Sequence, residues 1–362
     1  MMDMRTESAI KGRGAIANPV GRYESLDRFG IDDGWQYDDT DLPPLRTTVT
    51  VEACRSALTY NTSPDLPFDR SINPYRGCEH GCIYCYARPS HANMGLSPGL
   101  DFESRLFAKP DIAYVLEQQL RRPGYRPAPI MLGANTDPYQ PVEKQHRLTR
   151  RVLEVLAAWD HPVAIVTKSA MVLRDLDLLA PMAEKGLVSV AVSVTTLDRN
   201  LARTMEPRAA TPDKRLHTIA ELGRAGVPTM VFAAPMIPFL NDAELENILS
   251  AGKQAGAVAA SYTLIRLPLE LKDLFEDWLR EHAPGKADHV LSLIRQIRGG
   301  NLNDAAFGRR MRGSGEIADL LAKRFDLACR KHGLNKAQSS GIELTTGLFQ
   351  APPRPGDQLA LF

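Results

Sequence analysis

The sequence predicts an α/β protein: a partial (β/α)6 barrel of the TIM type, with an irregular N-terminal arm and a helical C-terminal extension. Three observations predict it. Apolar runs of strand length alternate with segments of helical period from about residue 110 to residue 284. With a first strand ahead of them, these runs make about six units, which suits a barrel better than a flavodoxin-like open sheet. Beyond Pro284, helical segments follow one another with no strand between.

Taken in order, residues 1–45 are rich in Gly, Pro, Asp and Arg and lack sustained periodicity, so they read as an irregular lead-in. Thr47–Cys54 is the best early strand candidate, and Tyr60–Pro67 is turn-like. The first barrel strand is expected near Ser71–Tyr75. Helix is then expected at Asp111–Leu120, strand at Ala128–Gly133, helix at Val142–Trp159 and strand at His161–Thr167. Met171–Lys185 reads as helix, Leu187–Val194 as strand, Pro212–Ala225 as helix and Val227–Ala234 as strand. Asp242–Ala255, Ala259–Leu267 and Leu269–Glu281 read as helix, strand and helix, and Lys286–Arg298 and Glu316–His332 as the closing helices. The expected division is an arm over 1–65, a barrel over 66–284, a helical extension over 285–340 and a tail over 341–362.

The chain has 362 residues, with 44 Lys and Arg against 43 Asp and Glu. A net charge of +1 argues against a protein that coats nucleic acid or membrane by bulk electrostatics. The longest apolar runs, 187–194 and 227–240, fall short of the roughly 20 residues that a membrane span needs. Asp3, Arg5 and Glu7 stand where a secretory signal would be apolar, so no membrane partner and a cytoplasmic location are expected. Five cysteines are too few for a disulfide scaffold in a chain this long, and Cys78, Cys82 and Cys85 lie within eight residues.

That spacing, Cys-x3-Cys-x2-Cys, brings three thiolates to one place if they ligate anything. A structural zinc site wants four ligands, and neither His80 nor His91 completes a familiar zinc pattern. An ordinary cubane site would supply a fourth thiolate, but Cys54 and Cys329 are distant. Three ligands point to a [4Fe–4S] cluster held at three corners with one iron open to chemistry. Gly77 and Gly81 permit the tight backbone such a loop needs. Zinc, or three incidental reduced thiols, stay open as alternatives.

The motif, with Tyr84 before its last cysteine and βα units behind it, resembles the radical S-adenosylmethionine superfamily over about residues 70–285. The resemblance implies that Cys78, Cys82 and Cys85 bind three irons and that S-adenosylmethionine chelates the fourth. It implies cleavage to a 5′-deoxyadenosyl radical that abstracts hydrogen from substrate, and a reductant such as flavodoxin or ferredoxin. Within the superfamily, several segments resemble the spore photoproduct lyase branch: Tyr84 and Tyr86, Asn135-Thr136-Asp137, Val166-Thr167-Lys168, Ser193-Val-Thr195-Thr196, Met205-Glu206-Pro207 and Arg215-Leu216.

The strand-end members of this set fall where barrel enzymes build their sites. On this resemblance Lys168 is placed for the methionine carboxylate, Ser193 for the ribose, and Asn135 and Thr136 for the methionine amino group. Tyr84 is placed against adenine, Thr195 beside the cofactor, and Tyr86 in the radical cavity. Each has an ordinary alternative: a loop lysine, strand-end hydroxyls bonding backbone, or core tyrosines. Glu206 and Arg208 read either as substrate-side groups or as a surface ion pair. One departure matters. The lyases use a cysteine hydrogen donor after the second strand, where this chain has Ala134. The cofactor machinery therefore carries over, while the substrate and the hydrogen donor do not.

Residues 285–336 hold eleven Lys and Arg against five Asp and Glu, with Arg309, Arg310 and Arg312 in a Gly-rich stretch. This is the basis for an expected nucleic-acid contact, with a solvated helical face as the alternative. Cys54 and Cys329 read as core residues. Two other functions remain in view: an iron–sulfur electron-transfer protein without adenosyl chemistry, and a zinc-stabilised nucleic-acid-binding module.

Overall fold

The computed structural model describes residues 10–23, 45–336 and 342–353. The rest of the N-terminal arm and the end of the tail, as expected from sequence, lie outside the described residues. A small sheet comes first in the chain, with β1 (Thr48–Val51) at its edge. Next come β2 (Leu58–Tyr60), β3 (Arg70–Ile72) and β4 (Tyr75–Arg76). The strand expected at Ser71–Tyr75 is thus two strands, parted at Asn73-Pro74. Proline offers no N–H to a ladder, and β4 pairs not with the barrel sheet but with β5 (Arg105–Ala108). β5 in turn pairs parallel to β1.

Before β5 the chain forms a 3-10 segment, Arg88–Met94, and α1 (Leu100–Ser104). The βα repeat follows: α2 (Ile112–Leu120), β6 (Ile130–Leu132), α3 (Glu143–His146), α4 (Leu148–Ala158), β7 (Val163–Thr167), α5 (Leu176–Glu184), β8 (Val188–Ser193), α6 (Arg199–Met205), α7 (Pro212–Arg224), β9 (Thr229–Met236), α8 (Leu245–Gln254), β10 (Ala259–Leu264) and α9 (Leu271–His282). The closing helices are α10 (Ala287–Ile297) and α11 (Glu316–His332).

β3, β6, β7, β8, β9 and β10 lie parallel in that order, and β2 adds antiparallel to β3. These are the six parallel strands of a partial barrel. The sheet runs from β10 to β2 and does not close on itself. Its strands are valine-rich because helices cover one face and the barrel interior the other. Val163, Ile165, Val188, Val190, Val192 and Val231 are buried.

The helix expected over Val142–Trp159 is two helices. Arg147 takes a left-handed conformation, φ 54°. The buried Glu143 carboxylate accepts the Thr149 and Arg150 N–H groups, 3.1 and 3.3 Å away, and so starts α4 afresh. The same carboxylate accepts from Tyr75 Oη and Arg174. β10 stops at Leu264, short of the expected Leu267. Arg298, at the end of α10, donates to the Leu264 and Ile265 carbonyls. α11 packs on α8 and β10, burying Leu321, Phe325 and Cys329, and Arg324 binds Glu246 at 2.7 Å.

The floor of the barrel, where the strands begin, is aromatic. Phe349 stacks on Trp159 and meets His161 edge-on, and Tyr125 lies beside both Phe349 and His161. Arg70 closes this group over the Tyr125 ring. Among the described residues no helix is long and apolar enough to cross a membrane.

Candidate active site

The cysteine loop leaves β4 at Gly77, whose φ of 74° no side chain adopts easily. The Cys78 N–H donates to Phe102 O, and the Cys85 N–H to Cys82 O. Cys78 and Cys82 are buried and Cys85 is half-buried. Burial pushes the Cys78 thiol up, and Asp137, Cys82 and Cys85 push it further, so the three sulfurs share one electrostatic neighbourhood. Among the described residues no three His, Cys, Asp or Glu side chains converge tightly enough for a single metal ion. Three thiols on one short loop are a donor set that fits a cluster with one open iron.

Two buried charges fasten the loop from below. Arg88 donates to Gly81 O, Cys82 O, Pro98 O and Gly99 O, and pairs with Glu103 at 2.5 Å. Both side chains are fully buried. Glu103 also accepts the Gly14 and Ala15 N–H groups, 3.0 and 2.8 Å away. The segment at 10–18, read from sequence as irregular, is therefore a strap beneath the loop. A Cβ at Gly14 would run into Gly81 O.

Around the loop stand the strand-end residues. After β6, Thr136 Oγ1 donates to Tyr75 O at 3.1 Å, and the Asn135 N–H to Asn73 Oδ1 at 3.2 Å. Asp137 accepts from Thr167 Oγ1 at 2.7 Å and from the Lys168 N–H at 2.8 Å, and it pairs with His80. Burial would raise its carboxyl, but His80 and these donors hold it at about 2. Lys168, just past β7, places its ammonium 5.7 Å from the Tyr84 ring centroid. Its charge eases the Cys82 thiol, which burial raises.

Tyr84 and Thr195 belong to a buried network. The Tyr84 hydroxyl donates to Glu206, and Thr195 Oγ1 donates to the same carboxylate at 2.6 Å. Glu206 pairs with Arg215, which also donates to Ser193 O at 3.1 Å. Burial raises the Glu206 carboxyl and Arg215 opposes the rise. Glu206 is thus interior, not a surface partner of Arg208; Arg208 pairs with Glu79 instead. The structure gathers the strand-end residues about the loop, with Tyr84 and Thr195 tied into this network.

Tyr86 is 42% exposed at the lip. Its hydroxyl donates to Ala134 O, past β6, and its ring carries the Arg266 guanidinium, past β10, at 4.3 Å. It so bridges strands from opposite sides of the sheet. Arg88, Glu103 and Arg266 carry no sequence signal, because an isolated charge gives no local sign of burial; His80, weighed from sequence only as a zinc ligand, pairs instead with Asp137. Four of the eleven basic side chains of the C-terminal stretch are matched internally: Arg309 with Asp304, Arg310 with Asp65, Arg324 with Glu246, and Arg298 with backbone carbonyls.

Residues 72–251 match the model of the Radical SAM superfamily. An uncharacterised protein of Mycobacterium tuberculosis is 38% identical over 248 residues, 67% of this chain and 72% of its own. One of Methanocaldococcus jannaschii is 29% identical over 175 residues, 48% of this chain and 62% of its own. Among solved structures, spore photoproduct lyase complexed with dinucleoside spore photoproduct aligns with a TM-score of 0.57 at 16% identity, over 78% of this chain and 79% of that one. A double mutant of that lyase with bound AdoMet and dinucleoside spore photoproduct gives 0.56 at 17% identity over the same shares. The fold is the partial barrel of those lyases, and the buried three-cysteine loop sits within the matched span: this chain belongs to the radical SAM superfamily and is an enzyme of that class.

Proposed function

We propose that Cys78, Cys82 and Cys85 hold three corners of a [4Fe–4S] cluster and that S-adenosylmethionine completes the fourth. The observation that carries this is the loop itself: three thiols in one electrostatic neighbourhood, with the Lys168 ammonium across the Tyr84 ring. Once loaded and given one electron, such a site supplies cleavage of the sulfonium to methionine and a 5′-deoxyadenosyl radical that takes hydrogen from substrate.

The chain's own residues prepare that chemistry. Arg88 and Glu103 fix the loop backbone. Lys168 offers an ammonium to the methionine carboxylate, and Asn135 and Thr136 face the amino group. Ser193 serves the ribose, while Tyr84 and Thr195, locked by Glu206, form the wall beside adenine. Tyr86 meets the substrate at the lip. Apolar Ile265 is buried in one cluster with Cys82 and Tyr84 and helps exclude water from the radical. With Ala134 in place of the lyase cysteine, the hydrogen donor differs from that branch. Superfamily enzymes draw on a reductant, and flavodoxin or ferredoxin is proposed here.

Anaerobic reconstitution followed by dithionite and S-adenosylmethionine tests the reading. 5′-Deoxyadenosine is expected. A brown protein that makes none is an electron-transfer protein, and one holding zinc without iron or sulfide is a zinc module. A nucleic-acid substrate is a second reading, favoured by the dinucleoside bound in the structural neighbour. Anisotropy of a labelled single-stranded oligonucleotide at two salt concentrations checks it; no salt-dependent binding removes it.

A further inference from the structure

Arg266 differs from the other arginines about the site. Arg88, Arg208, Arg215 and Arg310 each face a carboxylate. Arg266 makes no ion pair among the described residues. Its guanidinium carbon lies over the Tyr86 ring, 4.3 Å from the centroid, and the Tyr86 hydroxyl donates to Ala134 O. The residue is half-buried; burial disfavours its charge and so does nearby Arg310, while Asp65, already paired with Arg310, partly offsets them. A guanidinium does not lose its proton in such a place, so the charge stays, with no carboxylate of its own among the described residues. The ring occupies one face, and among the described residues no acceptor takes the N–H groups, which suits bidentate capture of a planar anion.

We propose that Arg266, stacked on Tyr86 and backed by Arg310, binds an anionic group of the substrate, a phosphate or a carboxylate, and sets it at the lip beside the cysteine loop. Naming the ligand as substrate rests on the radical SAM reading above; the anion site itself does not. Because Arg298, Arg309 and Arg310 already have partners, the proposal is for one anionic group at Arg266.

The test uses the full chain, anaerobically reconstituted, and phenylglyoxal labelling of arginines read by peptide mass spectrometry. Inorganic pyrophosphate and succinate are the two probes. One of them is expected to slow labelling of Arg266 severalfold while exposed Arg295 is unaffected, and which one does so separates phosphate from carboxylate. Arg266→Gln is expected to weaken that anion about tenfold, the worth of a charge-assisted hydrogen bond. Labelling of Arg266 that is absent without anion, or unchanged by both, overturns the site. So does an Arg266→Gln variant that loses affinity for S-adenosylmethionine and not for the anion, since the residue would then serve the cofactor. Failure of the radical SAM reading shows separately, as missing iron, sulfide or 5′-deoxyadenosine with protection of Arg266 intact.

Discussion

Replacing Glu103 by Gln tests how the strap and the cysteine loop are held. The substitution keeps size and shape but removes the only carboxylate paired with Arg88 among the described residues, at a place with no solvent access. Arg88 then keeps four carbonyl acceptors and no counter-charge. Breaking a buried ion pair from one side costs about 3–5 kcal/mol. The Gly14 and Ala15 N–H groups share the lost carboxylate, so one of them loses an acceptor as well. Set against a net stability of about 5–15 kcal/mol, the loss is large. At about 2 °C per kcal/mol, the low end for large domains, the melting temperature falls by about 6–10 °C. Calorimetry of the metal-free chain measures it, with proteolysis near residues 10–18 as a local readout. Glu276→Gln is the control, because its pair with Arg280 is exposed to solvent and contributes little. A Glu103→Gln protein that melts with the Glu276→Gln control, its strap equally protected, refutes the reasoning.

Three further outcomes are expected. Gly133→Ala costs about 1–3 kcal/mol, because φ is 91° there and the new methyl meets the Val166 carbonyl; an unchanged urea midpoint refutes it. Lys168→Ala weakens S-adenosylmethionine binding by about tenfold or more with iron content intact, as equilibrium dialysis would show; equal binding removes Lys168 from the site. Burial lowers the His161 imidazole from its ordinary 6.5 to about 4. Between those values the unfolded chain takes up a proton that the folded chain refuses. Its stabilising contribution is therefore whole above about pH 6.5 and lost as the pH falls toward about 4. His161→Gln should shrink the drop in urea midpoint between pH 7 and pH 5; an equal drop in both proteins counts against it.

The parallel strands and the cysteine loop were legible because their signals are local. Valine-rich runs such as Val188–Ser193 announce buried strands, and ligand spacing announces a loop. The break at Arg147 was not legible, since it depends on Glu143 reaching partners on other elements. The strap was read as irregular for the same reason: Gly14 and Ala15 have no periodicity, and their order comes from Glu103, far along the chain. Glu206 and Arg208 look like a pair in sequence, yet the fold gives one to Arg215 and the other to Glu79. Arg88 and Arg266 look alike as letters. One has five acceptors and the other has none among the described residues, a contrast that only packing creates.

The aromatic floor joins two distant stretches of chain. Tyr125, Trp159 and His161 flank the starts of β6 and β7, and Phe349 comes from beyond α11. The late segment thus folds back under the two strands whose far ends lead to Asn135 and Lys168. It is part of the barrel's own packing, and a truncation before Phe349 takes away one ring of that floor.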